Sequence, residues 1–99
     1  MDGVLEIARV VVKPGSAMAF EEAVARLRPL FLKAAGNRGF SVRRSIENER
    51  AYVFLVSWEA MEDHTVRFMG SPDFQTFIAA VGDLFDAEPL IEHTVPAVG

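Results

Sequence analysis

The chain contains no cysteine. That single absence excludes disulfides, thiolate metal ligands and a cysteine nucleophile. Histidine is scarce as well, with only His64 and His93. They do not share a His-x-x-x-His spacing on one helix face, so neither a zinc nor a non-haem iron site is expected. Basic residues are in deficit: ten Lys and Arg against fourteen Asp and Glu leave a net charge of −4, which argues against a nucleic-acid binder. No apolar run approaches the ~20 residues of a membrane span; the longest strong one is residues 51–56. Met1-Asp2-Gly3 lacks the basic and apolar regions of a signal peptide, so a cytoplasmic location is expected. The sequence also has no glycine-rich phosphate loop, no Gly-x-Ser-x-Gly elbow and no internal repeat.

Apolar residues are plentiful: they make up 51% of 99 residues, with a mean hydropathy of +0.20. The length predicts one domain over residues 1–99, with its structured core over residues 4–95. So small a domain has a modest core, and the apolar excess predicts surface buried against another chain.

Residues 5–12 are rich in valine and isoleucine and read as a strand, closed by Lys13-Pro14-Gly15. Ser16 is placed to cap a helix, with Glu21 and Glu22 near its positive end. Phe20, Val24, Leu27, Phe31 and Ala34 give that helix an apolar stripe. Pro29 predicts a kink and Gly36-Asn37 the stop. Residues 39–45 and 50–58 read as a hairpin turning at Glu47-Asn48-Glu49. A short helix over residues 59–69 follows, with Met61, His64, Thr65 and Phe68 on one side. Ser71-Pro72-Asp73 is a helix start, and Phe74, Phe77, Ile78 and Val81 are its stripe. Residues 90–95 read as a final strand. The order predicts an α+β class fold, the ferredoxin-like βαββαβ arrangement with an antiparallel sheet.

In the third strand Tyr52, Phe54, Val56 and Trp58 point one way, and Val53, Leu55 and Ser57 the other. A strand with one wet face alternates apolar with polar, and this one does not. Two helices cover one face only, so the other predicts a homodimer joined through its sheet faces.

Trp58-Glu59-Ala60-Met61-Glu62-Asp63-His64 followed by Phe68-Met69-Gly70-Ser71-Pro72-Asp73-Phe74 resembles the signature segment of the antibiotic biosynthesis monooxygenase (ABM) domain family. Residues 5–15 resemble that family's first strand and Lys-Pro-Gly turn, and Glu92-His93 a feature of a bacterial subgroup. The resemblance implies a dimeric α+β barrel. It implies a range of activities, from cofactor-independent oxygenases of phenols and quinols to haem-degrading enzymes and isomerases. Haem-degrading members carry asparagine on the first strand and histidine on the later helix. Here those positions are Ala8 and Phe77-Ile78, so haem degradation is disfavoured.

The resemblance places Trp58 in the wall of a substrate cavity, where an indole stacks an aromatic ligand and offers one N–H. The plainer alternative is a packing anchor. His64, six residues on, is the expected general base for a phenol near neutral pH, against an ordinary hydrogen-bonded side chain. Phe54, Phe68, Phe74, Phe77 and His93 are the expected substrate contacts, with the phenylalanines excluding water. Arg9, Arg43 and Arg44 are expected to pair with Glu6, Glu92 or a partner-subunit acid. The combined expectation is a monooxygenase that oxidises a small aromatic phenol or quinol with O₂ and needs no cofactor or metal. The alternative is a non-catalytic dimer that binds a small aromatic or apolar ligand.

Overall fold

The computed structural model describes residues 3–99; Met1 and Asp2, part of the segment read above for a signal peptide, lie outside the described residues. The strands are β1 (Val4–Val11), β2 (Asn37–Arg44), β3 (Ala51–Trp58) and β4 (Leu90–Thr94). They form one sheet in the order β2-β3-β1-β4, every pair antiparallel. Helix α1 (Ala17–Leu32) joins β1 to β2. A π-helical segment (Asp63–Phe68) and helix α2 (Pro72–Val81) join β3 to β4. This is the α+β, ferredoxin-like βαββαβ arrangement that the periodicities predict.

Register explains which residues meet. Val10, Ala8 and Glu6 of β1 stand opposite Tyr52, Phe54 and Val56 of β3, and all six are buried on the helix side of the sheet. Phe20 and Phe31 of α1 and Phe77 of α2 close over them, with Phe31 centred 4.4 Å from Phe40 and 5.0 Å from Phe77. The opposite face carries Leu5, Ile7, Val11, Val53 and Leu55, all half-buried with no helix over them.

Several local expectations are corrected. Ser16 occupies the cap position of α1, but its hydroxyl makes no capping hydrogen bond. Glu21 lies beyond the first turn and instead accepts from Tyr52 Oη at 2.6 Å and pairs with Arg44 at 3.1 Å. Helix α1 ends at Leu32, and Asn37 opens β2 rather than closing the helix. Pro29 lies inside α1, at an exposed position near its C-terminal end. Ile78 is at the surface of α2. Ser71 caps α2 as predicted, accepting from the Phe74 N–H at 3.2 Å.

The helix expected over residues 59–69 is mostly a π turn, with the Met69 N–H reaching the His64 carbonyl five residues back. Buried Asp63 anchors its start: the carboxylate accepts from the Ala60 N–H at 3.0 Å and from Arg67 at 2.8 Å. Gly36, at φ +81°, lets the turn before β2 run against Asp63, where a Cβ would overlap the carboxylate. Gly36→Ala is therefore expected to cost at least about 2 kcal/mol, adding left-handed strain to a displaced π segment. Urea unfolding measures it; a loss below about 0.5 kcal/mol would show that this contact does not position the segment.

Candidate functional site

The chemistry gathers at one end of the sheet. Glu6 lies opposite Val56 on one side and His93 on the other. Trp58, two residues beyond Val56, is its diagonal neighbour on the same face. The indole Nε1–H donates to Glu6 Oε1 at 2.9 Å. The π segment lays His64 over them, its ring stacked on Trp58 at 5.7 Å and 19°. His64 Nε2 stands 3.5 Å from Glu6 Oε1, and its Nδ1 is 2.8 Å from His93 Nε2. Glu6, His64, His93 and Trp58 thus form a continuous polar cluster beneath an apolar roof.

Burial sets its electrostatics. Trp58 is 0% exposed, His64 4% and Glu6 5%. Desolvation pushes the Glu6 carboxyl up to about 7, against a smaller opposing effect of the Trp58 hydrogen bond. Desolvation, with the neighbouring His93, holds His64 down at about 4. His64 is therefore a neutral imidazole at pH 7, and Glu6 is the group poised to change charge there. His93 is half-buried on β4 and is the cluster's outer member.

Sequence reasoning picked Trp58, His64 and His93, and the fold brings these three together. It missed Glu6, expecting it to pair with an arginine. The signal was the period of two: Val4, Glu6, Ala8, Val10 and Val12 share one face of β1, so Glu6 is a carboxylate on the inner side. Arg9 is on the other face, exposed. Of the five expected substrate contacts, His93 is in the cluster, Phe54, Phe68 and Phe77 are core residues and Phe74 is packed against the core. Phe68 lies 5.6 Å from Trp58 and 5.7 Å from Phe74, and Phe54 lies 6.0 Å from Phe77.

These rings pack on one another between the sheet and the helices. Two clefts lie beside them. One of about 810 Å³ lies between α1 and the β2–β3 hairpin, lined by Phe20, Arg28, Val42, Arg44 and Tyr52 among others. Another, of about 530 Å³, lies at the strand ends beside Trp58, Arg38 and Thr94. Among the described residues no group of three or more His, Asp or Glu is arranged to hold a metal ion.

The family model for antibiotic biosynthesis monooxygenase matches residues 3–80. The chain belongs to the ABM family. A solved structure of a Bordetella bronchiseptica protein of this family is 38% identical, with TM-score 0.95, covering 99% of this chain and 100% of that one. The uncharacterized protein YczJ of Bacillus subtilis (strain 168) is 32% identical over 91% of this chain and 95% of its own length. SnoaB of Streptomyces nogalater, a cofactor-independent oxygenase solved as a mutant, shares the fold at 22% identity and TM-score 0.77, covering 99% and 94%. Among the described residues no helix is long and apolar enough to cross a membrane.

The two buried groups pull stability in opposite directions with pH. Glu6, raised from 4.5 to about 7, makes folding take up a proton in that interval, so its contribution falls as pH rises through it. His64, lowered from 6.5 to about 4, contributes stability that is lost as pH falls through that interval. The two slopes oppose between 4.5 and 6.5. Glu6→Gln removes one of them, so its stability relative to the parent should rise by about 1.4 kcal/mol per pH unit from pH 4.5 toward 7. Urea unfolding of both proteins across that range measures it; a pH-independent difference would mean that burial does not raise Glu6 above its ordinary value.

Proposed function

We propose that the chain is a cofactor-independent monooxygenase acting on a small phenol- or quinol-type aromatic. The observation that carries this reading is the buried carboxylate–imidazole–imidazole line of Glu6, His64 and His93, in a chain of the ABM family. Such a line removes a proton from a phenol. The resulting phenolate gives one electron to O₂, the two radicals combine at a ring carbon bearing hydrogen, and a hydroperoxide forms. Breaking its O–O bond with loss of that C–H leaves a carbonyl, and the second oxygen departs as water. The substrate supplies all four electrons, so the balance needs no other reductant. The phenylalanine rings keep water from the charge-transfer step. Trp58 acts by holding Glu6 rather than by touching the substrate, since it is fully buried.

Two other features bear on this reading. The face carrying Leu5, Ile7, Val53 and Leu55 is the surface through which two copies associate, and proteins of this family are typically dimeric. The cleft beneath α1 lies away from the cluster and favours the rival reading, binding of a small aromatic ligand without chemistry.

A panel of phenols, quinols and aromatic acids, read by Trp58 emission and oxygen consumption together, separates the readings. Saturable quenching with oxygen uptake is expected. His64→Ala should then lower turnover by about 10²–10⁴-fold with affinity largely kept. Quenching without uptake would replace the oxygenase by the binder, and no uptake across the panel would remove the oxygenase. Leu55→Glu should convert a dimer to a monomer in light scattering; an unchanged mass would place the interface elsewhere.

A further inference from the structure

The contact between the two histidines has a strict proton requirement. At 2.8 Å, His64 Nδ1 and His93 Nε2 hold one proton between them. Two lone pairs would repel and two N–H groups would collide. The same rule couples that contact to Glu6. When the carboxylate is ionised it favours a proton on His64 Nε2, which leaves Nδ1 bare to accept from His93 Nε2. His93 Nδ1, at the outer end, is then bare. When Glu6 is protonated it donates toward His64 Nε2, so Nδ1 carries the proton and donates to His93, whose proton must then be on Nδ1. The 3.5 Å gap between His64 Nε2 and Glu6 Oε1 is about 0.5 Å longer than a made hydrogen bond, as is common for catalytic contacts before substrate arrives.

We propose that Glu6, His64 and His93 form a proton wire, in which His93 Nδ1 takes the proton of a neutral phenolic substrate and Glu6 keeps it. Three protons shift in sequence: substrate oxygen to His93 Nδ1, His93 Nε2 to His64 Nδ1, and His64 Nε2 to Glu6. The O–H bond of the substrate breaks, an O–H bond on Glu6 forms, and both rings end neutral with their tautomers exchanged. The cluster passes from charge −1 to zero while the substrate becomes a phenolate.

The surroundings suit that role. The titratable groups facing Glu6 are His93 from β4 and His64 from the π segment, and β3 contributes only the uncharged Trp58 and Val56. On the same segment Asp63 and Arg67 pair with each other, away against Gly36. On α2, Asp73 pairs with Lys33 of α1. No cation neutralises the ionised carboxylate among the described residues, so the resting cluster disfavours an anionic ligand and favours a neutral proton donor. Ile91, two residues before His93 on the same face of β4 and exposed, offers such a ring an apolar seat next to His93. His93 is then the catalytic residue, and Glu6 and His64 act through it.

The substrate half of this inference rests on the oxygenase reading; the wire does not, and it is tested without substrate. Nitrogen-15 spectra of the histidine rings, recorded on the whole chain from about pH 5.5 to about pH 8.5, report which nitrogen carries the proton. The expected result is that both rings exchange tautomers over one interval, with the Glu6 carboxyl carbon titrating at the same midpoint. In Glu6→Gln both rings should keep one tautomer throughout. Rings that hold fixed tautomers in the parent, that charge independently, or that still exchange in Glu6→Gln overturn the wire. Should the variant not fold, the coincidence of the three midpoints in the parent decides alone. Oxygen uptake is read on the same samples with the phenol panel. Exchange without uptake keeps the wire and sinks the oxygenase; uptake without exchange sinks the wire.

Discussion

A carboxyl group on the inner face of a β-sheet is costly to ionise unless something in the fold receives it. In this chain Glu6 is received by the only tryptophan, whose N–H is its one direct hydrogen-bond donor among the described residues. The rest of the site depends on that bond. It fixes the indole at the end of β3, the indole provides the plane on which His64 stacks, and His64 in turn meets His93. Were position 6 apolar, Trp58 would carry an unpaired buried donor and His64 would lose its inner partner. The four residues come from β1, β3, the π segment and β4, so the sheet must be complete before the cluster exists.

Much of the fold was legible because its periodicities are clear. Valine and isoleucine mark β1, the phenylalanine spacing marks α1, and Ser71-Pro72 marks the start of α2. The doubly apolar β3 was read as having a second face covered by another copy; in the single chain that face is half-buried with no helix over it. The π turn was not legible, because a bond from residue 69 back to residue 64 leaves no pattern in sequence spacing that a short α-helix would not. That turn buries His64 and Phe68 while leaving Met61 at the surface.

The site was half legible. Trp58 and His64 stand in the segment that resembles the family signature, and their proximity follows from a strand end and the turn after it. Glu6 was overlooked because arginines nearby offered it a simpler partner. Only face assignment separates it from Arg9, which lies on the other side of β1. The phenylalanines expected as substrate contacts pack on one another in the core, and Phe68 sets them against the polar cluster through Trp58.

The central claim is that Glu6 titrates near neutrality while bonded to Trp58. Since the chain has one tryptophan, its indole N–H gives one resonance, and that proton senses the charge on Glu6 directly. A pH-dependent shift of this resonance with a midpoint near 7 is expected. A midpoint near the ordinary carboxyl value of 4.5, or a resonance that does not move, would contradict it.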